Sequence, residues 1–152
     1  MHDIAGLKLV DAELLLRFVK LEAHPVHQVP TCFFQMVHRE TGAEMGGINL
    51  RVGSTPHIER YAGHLGYTVF PRYRGRRYAA RSVRLLVAVA RLLDMAEVWI
   101  TCDPENVSSR RSAELAGAVL VEIVDVPADC IIHRSGHPRK CRYRLDLFRI
   151  EQ

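Results

Sequence analysis

From Val69 to Ala80 the chain reads V-F-P-R-Y-R-G-R-R-Y-A-A, a stretch in which a strand has to give way to a helix within a few residues. Ahead of it, residues 63–70 supply strand formers. After it, residues 78–93 are an unbroken run of good helix formers. The turn therefore falls at a helix start, where the first backbone N–H groups lack intrahelical partners and the macrodipole is positive. Such a point attracts an anion. Gly75 lets the backbone take a tight, left-handed bend so that successive N–H groups converge. Arg72, Arg74, Arg76 and Arg77 add positive charge around it. A diphosphate is the kind of ligand that this turn suits.

Further on, Val98-Trp99-Ile100-Thr101-Cys102-Asp103 reads as a strand, followed by Pro104 to Arg111 and a short helix that closes at Gly117. Arg72-Tyr73-Arg74-Gly75-Arg76-Arg77 resembles the Arg/Gln-x-x-Gly-x-Gly/Ala motif of the GCN5-related N-acetyltransferases (GNAT), with Arg77 standing where the family has a small residue. The second strand, Asn106, Ser109 and the Gly117-Ala118 ending match the same family in order and spacing, over residues 60–126. The wording around Asn106 is nearest the branch that contains the ribosomal-protein N-terminal acetyltransferases.

This resemblance implies a mixed α/β fold with a mostly antiparallel central sheet and helices on both faces. It implies acetyl-CoA as co-substrate, no metal, and a primary amine as acceptor, either a small molecule or a protein N-terminus. The pyrophosphate would rest on Arg72, Arg74, Gly75, Arg76 and Arg77, with Tyr78 and Ala79 at the helix start. Asn106 would contact the cofactor, and backbone N–H groups between Tyr67 and Val69 would receive the oxyanion. A homodimer through the C-terminal strand follows from the resemblance alone.

Direct transfer needs a neutral amine. A lysine-like amine of pKa about 10.4 is neutral roughly once in 2,500 molecules at pH 7, a deficit of about 4.6 kcal/mol, so a base is required. His64 is the first candidate, set against a purely structural histidine, with Glu44 and Glu59 behind it. For the acid, the family's usual Tyr falls at Ala113. That leaves Ser109, which is equally suited to capping a helix, and Tyr78. A thiol of pKa about 8.5 departs largely as thiolate with little help.

The remaining sequence bounds the problem. A chain of 152 residues is expected to form one domain that buries about 70% of its unfolded surface without covalent staples. The N-terminus shows no signal-like segment and no apolar run is long enough to cross a bilayer, so a cytoplasmic protein is expected. Cys32, Cys102, Cys130 and Cys141 lack metal-ligand spacing and read as free thiols. The net charge of +4 is too small, and the helix after Tyr78 too apolar, for a nucleic-acid binder. Arg81, Arg84 and Arg91 read as a solvated helix face. A CoA-binding module without transferase activity is the alternative, motivated by Arg77 and the missing Tyr. Along the chain, short strands are expected over residues 7–10, 31–38 and 45–52, and an amphipathic helix over residues 12–21. A buried strand over residues 119–126, an irregular loop over 128–140 and a half-buried final strand from Cys141 to Phe148 complete the expectation.

Overall fold

The computed structural model describes residues 4–147. Among them, β1 (Val10–Asp11), β2 (Leu14–Ala23), β3 (Pro30–His38), β4 (Glu44–Arg51) and β5 (Leu65–Val69) form one antiparallel sheet in that order. The other sheet is β6 (Glu97–Cys102), β8 (Arg139–Asp146) and β7 (Val119–Asp125), with β8 in the middle. Helix α1 (Tyr78–Leu92) runs between β5 and β6, α2 (Val107–Leu115) between β6 and β7, and α3 (Ile131–Arg134) precedes β8. The architecture is the expected mixed α/β arrangement of antiparallel sheets and helices.

The long helix begins and ends where the sequence predicts, because its buried positions recur at helical spacing. Tyr78, Ala79, Ser82, Val83, Leu86, Val89 and Ala90 form one face. That face joins a core shared with Leu14, Leu16, Phe34, Met36, Ile48 and Leu50 of the first sheet. Each large side chain buried there contributes about 1.5–3 kcal/mol.

The helix expected over residues 12–21 is instead strand β2, and the first strand shrinks to Val10–Asp11. Leu14, Leu15, Phe18 and Val19 fit helical spacing, but Leu14 and Leu16 alternate into the core while β2 pairs along its whole length with β3. A register shift between Phe18 and Lys20 interrupts the alternation that would have announced a strand. Strand β7 is also not buried as expected. It forms the edge beyond β8 and leaves Val119, Leu120, Val121 and Ile123 exposed. The expected loop over residues 128–140 contains the single helical turn of α3, and β8 ends at Asp146, Phe148 lying outside the described residues.

Of the arginines expected to form a solvated face of α1, Arg84 and Arg91 are exposed, whereas Arg81 is a half-buried tether. Arg81 pairs with Asp11 at 2.7 Å and with Glu13 at 2.6 Å, and Arg91 donates to Leu147 O at 2.9 Å. Arg84 donates to Leu115 O. The Arg81 hydrogen bonds, with that of Tyr78, hold the Glu13 carboxyl down to about 2. Arg81→Met should therefore cost about 2 kcal/mol, since charge-assisted hydrogen bonds are lost from a partly buried site. Urea denaturation would measure it, and an unchanged midpoint would mean that the tether is energetically idle.

Candidate active site

β5 and β6 are the facing edges of the two sheets and share no ladder. They are joined where His64 N donates to Trp99 O at 2.7 Å and Trp99 N donates to His64 Nδ1 at 2.9 Å. The approach is close. Gly63 has φ 73°, and a Cβ built there would lie 3.0 Å from both Thr101 N and Trp99 O, so only glycine fits. Beyond this join a cavity of about 930 Å³ opens between β5, the Arg-rich turn, the start of α1 and α2.

The edge of β5 presents backbone donors to that cavity. Arg51 N donates to His64 O at 2.7 Å and Phe70 N to Met45 O at 2.9 Å, so the even-numbered residues of this stretch bond to β4. In an antiparallel ladder the alternate residues then direct N–H and C=O the other way. Those residues are Leu65, Tyr67 and Val69, and the last two line the cavity.

After β5 a single 3₁₀ turn, Pro71–Tyr73, leads into the arginines. Gly75 (φ 88°) and Arg77 (φ 62°, ψ 29°) are both left-handed, and no side chain caps α1. The first-turn N–H groups of α1 are therefore left for a ligand, beside Arg74, Gly75, Arg77, Tyr78 and Ala79 in the cavity wall. Arg74 Nε is anchored on Val69 O at 3.2 Å. Arg72 leans over the Tyr73 ring, 5.7 Å from its centroid, and neither Arg72 nor Arg76 is part of the wall. The Tyr78 hydroxyl donates to Glu13 at 2.8 Å, so it is committed to the fold.

Across the cavity, Asn106 caps α2, its Oδ1 accepting from Ser109 N at 3.1 Å. The Asn106 side-chain amide nitrogen is left over for a ligand. Ser108, Arg111, Ser112 and Leu115 also line the cavity. They were missed from the sequence, although their three- and four-residue spacing places them on one helix face.

Tyr67 and Ser109 meet across the gap between the sheets, Tyr67 Oη donating to Ser109 Oγ at 3.3 Å. Burial, the larger influence, keeps the Tyr67 phenol above its ordinary range. Behind this pair lies a second chamber of about 400 Å³, bounded by Tyr61, Gly66 and Thr101 and by Ile131, Ile132 and His137 of the segment before β8. It shares Tyr67 and Ser109 with the first cavity. At its mouth His27 Nδ1 and His57 Nε2 lie 2.9 Å apart, and burial pushes His27 down to about 4. The two histidines lie 30 residues apart in the chain, so no local pattern announces the pair. Glu44 borders a separate hollow on the outer face of β3 to β5, and Glu59 lies with His64.

His64 does not enter either chamber. It is 2% exposed, and its Nδ1 is already the acceptor for Trp99 N. In the neutral ring Nε2 then carries the proton, which it donates to Ser54 Oγ at 3.2 Å. Burial, the main cause, holds its pKa down at about 4, with Arg51 acting in the same direction and Glu59 against it.

The sequence matches the family of the Acetyltransferase (GNAT) domain over residues 11–119. No curated protein matches. Among solved structures, the chain is similar to a candidate ribosomal-protein-serine acetyltransferase from Vibrio cholerae (TM-score 0.64, 19% identity, covering 93% of this chain and 98% of that one). It is also similar to a GNAT-family acetyltransferase from Bacillus anthracis (TM-score 0.61, 18% identity, 77% and 67% covered). A third is the microcin C7 self-immunity acetyltransferase in complex with acetyl-CoA and AMP (TM-score 0.58, 13% identity, 76% and 61% covered).

Proposed function

Because the chain belongs to the GNAT acetyltransferase family, we propose that it is an acetyl-CoA-dependent N-acetyltransferase moving an acetyl group directly from CoA to a primary amine. The observation that carries this reading is the continuity of the 930 Å³ cavity, which runs from uncapped N–H groups at one end to the Tyr67–Ser109 pair at the other. The diphosphate would lie on Gly75, Arg77 and the first turn of α1, with Arg74 beside it. Asn106 would hold the pantetheine arm from the opposite wall. The thioester carbonyl would lie along the β5 edge, where Tyr67 N–H and Val69 N–H face the oxyanion as it forms. The leaving thiolate would take its proton from the Tyr67–Ser109 hydroxyls, which stand in for the phenol absent at Ala113. His64 would have a positioning role, fixing the join from which the two sheets part.

The test is calorimetric titration with acetyl-CoA followed by thiol release against a panel of amines. Ser109→Ala is expected to lower kcat about tenfold, less than the roughly 100-fold or more usual for loss of a general acid, because the thiolate is a good leaving group. The acetyl-CoA Kd should stay within a factor of about three. Tight binding with no thiol release on any acceptor would favour the CoA-binding module instead.

A further inference from the structure

We propose that the 400 Å³ chamber behind Tyr67 and Ser109 is the acceptor site, that His137 is its general base with Asp103 as positioning residue, and that it takes a primary amine carrying no second positive charge. This rests on the transferase reading above.

The chamber and the cofactor cavity share one wall, Tyr67 and Ser109. An amine in the one can therefore reach a thioester in the other. The amine must lose a proton on its own side of that wall, where His27, Tyr61, Tyr67, His137 and Lys140 are the titratable side chains. His27 already engages His57 through Nδ1 and is held too low to accept a proton near neutrality. His137 is differently placed. Its Nδ1 lies 2.6 Å from Asp103 Oδ2, and its side chain is 44% exposed. A carboxylate on Nδ1 fixes the proton there and leaves the Nε2 lone pair available. Among the described residues Nε2 has no hydrogen-bond partner. Asp103 is held in turn by Lys140 Nζ at 3.1 Å. Burial pushes the Asp103 carboxyl up, but the hydrogen bonds from His137 and Lys140 outweigh it and leave it below the usual range.

The lining also selects. No carboxylate belongs to it, while Lys140 and His137 do, and Val26, Ile131 and Ile132 supply an apolar side. The nearest carboxylate, Asp103, stands behind the lining and is already engaged by His137 and Lys140, so the distal ammonium of a polyamine or an amino sugar would meet no unpaired counter-charge there. An imidazole base also suits an α-amine, of pKa about 8, better than a lysine-like amine of about 10.4. In the step itself the ammonium gives its first proton to solvent, the neutral amine nitrogen attacks the thioester carbon, and the second N–H proton passes to His137 Nε2 as the N–C bond forms. The C–S bond then breaks, and the CoA sulfur takes its proton from the Tyr67–Ser109 pair, giving the amide and free CoA.

The experiment has three arms. Acetyl-CoA affinity is measured first in the wild type and in His137→Gln. It should be equal within about threefold, and no binding in the wild type would fault the transferase reading rather than this one. Thiol release is then compared on alanine, alanine amide, an Ala-terminated tripeptide, spermidine and kanamycin. The α-amines should be preferred, and the two arms of free and peptide-borne α-amine tell which source the site accepts. Preference for the polycations, or turnover of none, overturns the assignment. Finally, His137→Gln should lose at least about 100-fold in kcat and the acid limb of its kcat/KM profile, whereas Asp103→Asn should lose only part of that kcat. Histidine ¹⁵N spectra should give the Nδ1–H form for His137 in the wild type and a mixture in Asp103→Asn. Retained activity and an unchanged acid limb in His137→Gln, or an unchanged tautomer in Asp103→Asn, would overturn it.

Discussion

Gly75→Asp is expected to weaken acetyl-CoA binding at least about 100-fold, about 2.7 kcal/mol, in a protein that still folds. The fold should survive because a Cβ at Gly75 meets nothing within 4 Å. The cost there is the left-handed φ of 88°, about 1 kcal/mol for a residue with a side chain. Binding should not survive, because the new carboxylate would stand among the uncapped N–H groups and repel the diphosphate they are meant to receive. Gly75→Ala separates the two contributions, carrying the backbone strain without the charge, and should lose only a few-fold. Calorimetry reads the affinity and thermal melting reads the fold. Equal affinities for Gly75→Asp and the wild type would mean that the turn holds no phosphate.

The second large effect is on stability. His64→Ala should cost about 3 kcal/mol, since it strands the buried Trp99 N–H and leaves a cavity at the join between the sheets. His64→Asn, which offers an oxygen in the region of Nδ1, should recover part of it. The wild type should also lose stability in acid with a definite sign. A folded pKa of about 4 lies below the unfolded value of about 6.5, so the unfolded chain binds the extra proton. The His64 contribution is thus complete above about pH 6.5 and disappears as pH falls towards 4, a change of about 3 kcal/mol. His27 adds to it in the same direction. Urea midpoints at pH 7 and pH 4.5 should differ less in His64→Ala than in the wild type. The activity of folded His64→Ala should stay within about threefold of wild type, whereas loss of a general base would cost a factor of about 100 or more.

The contrast between these two residues shows what could be read in advance. Gly75 and α1 were legible because their signals are local: a glycine in a turn, then residues whose buried face repeats along one helix. His64 was legible only as a histidine near a strand start. Its partner Trp99 lies 35 residues away, and no local pattern records that pairing. The same holds for β2. Its residues fit two periodicities, and the choice was made by β3, with Leu14 opposite His38 and Ala23 opposite Pro30. The chamber behind Tyr67 was the least visible part, because Val26, Tyr61, Ser109 and His137 come from four separate segments. Tyr67 and Ser109, which it shares with the cofactor cavity, were the part within reach of sequence reasoning.

The single wall shared by the two chambers has an evolutionary consequence. Val26 and Ile131 are about half exposed, lie outside the core and do not touch the cofactor cavity. Substitution there should cost little in folding and leave the proposed cofactor cavity unaltered. On the assignment proposed above, a lineage built on this scaffold would be free to exchange one amine for another by drift at the rim, while changes at Tyr67 or Ser109 would disturb both halves of the reaction at once.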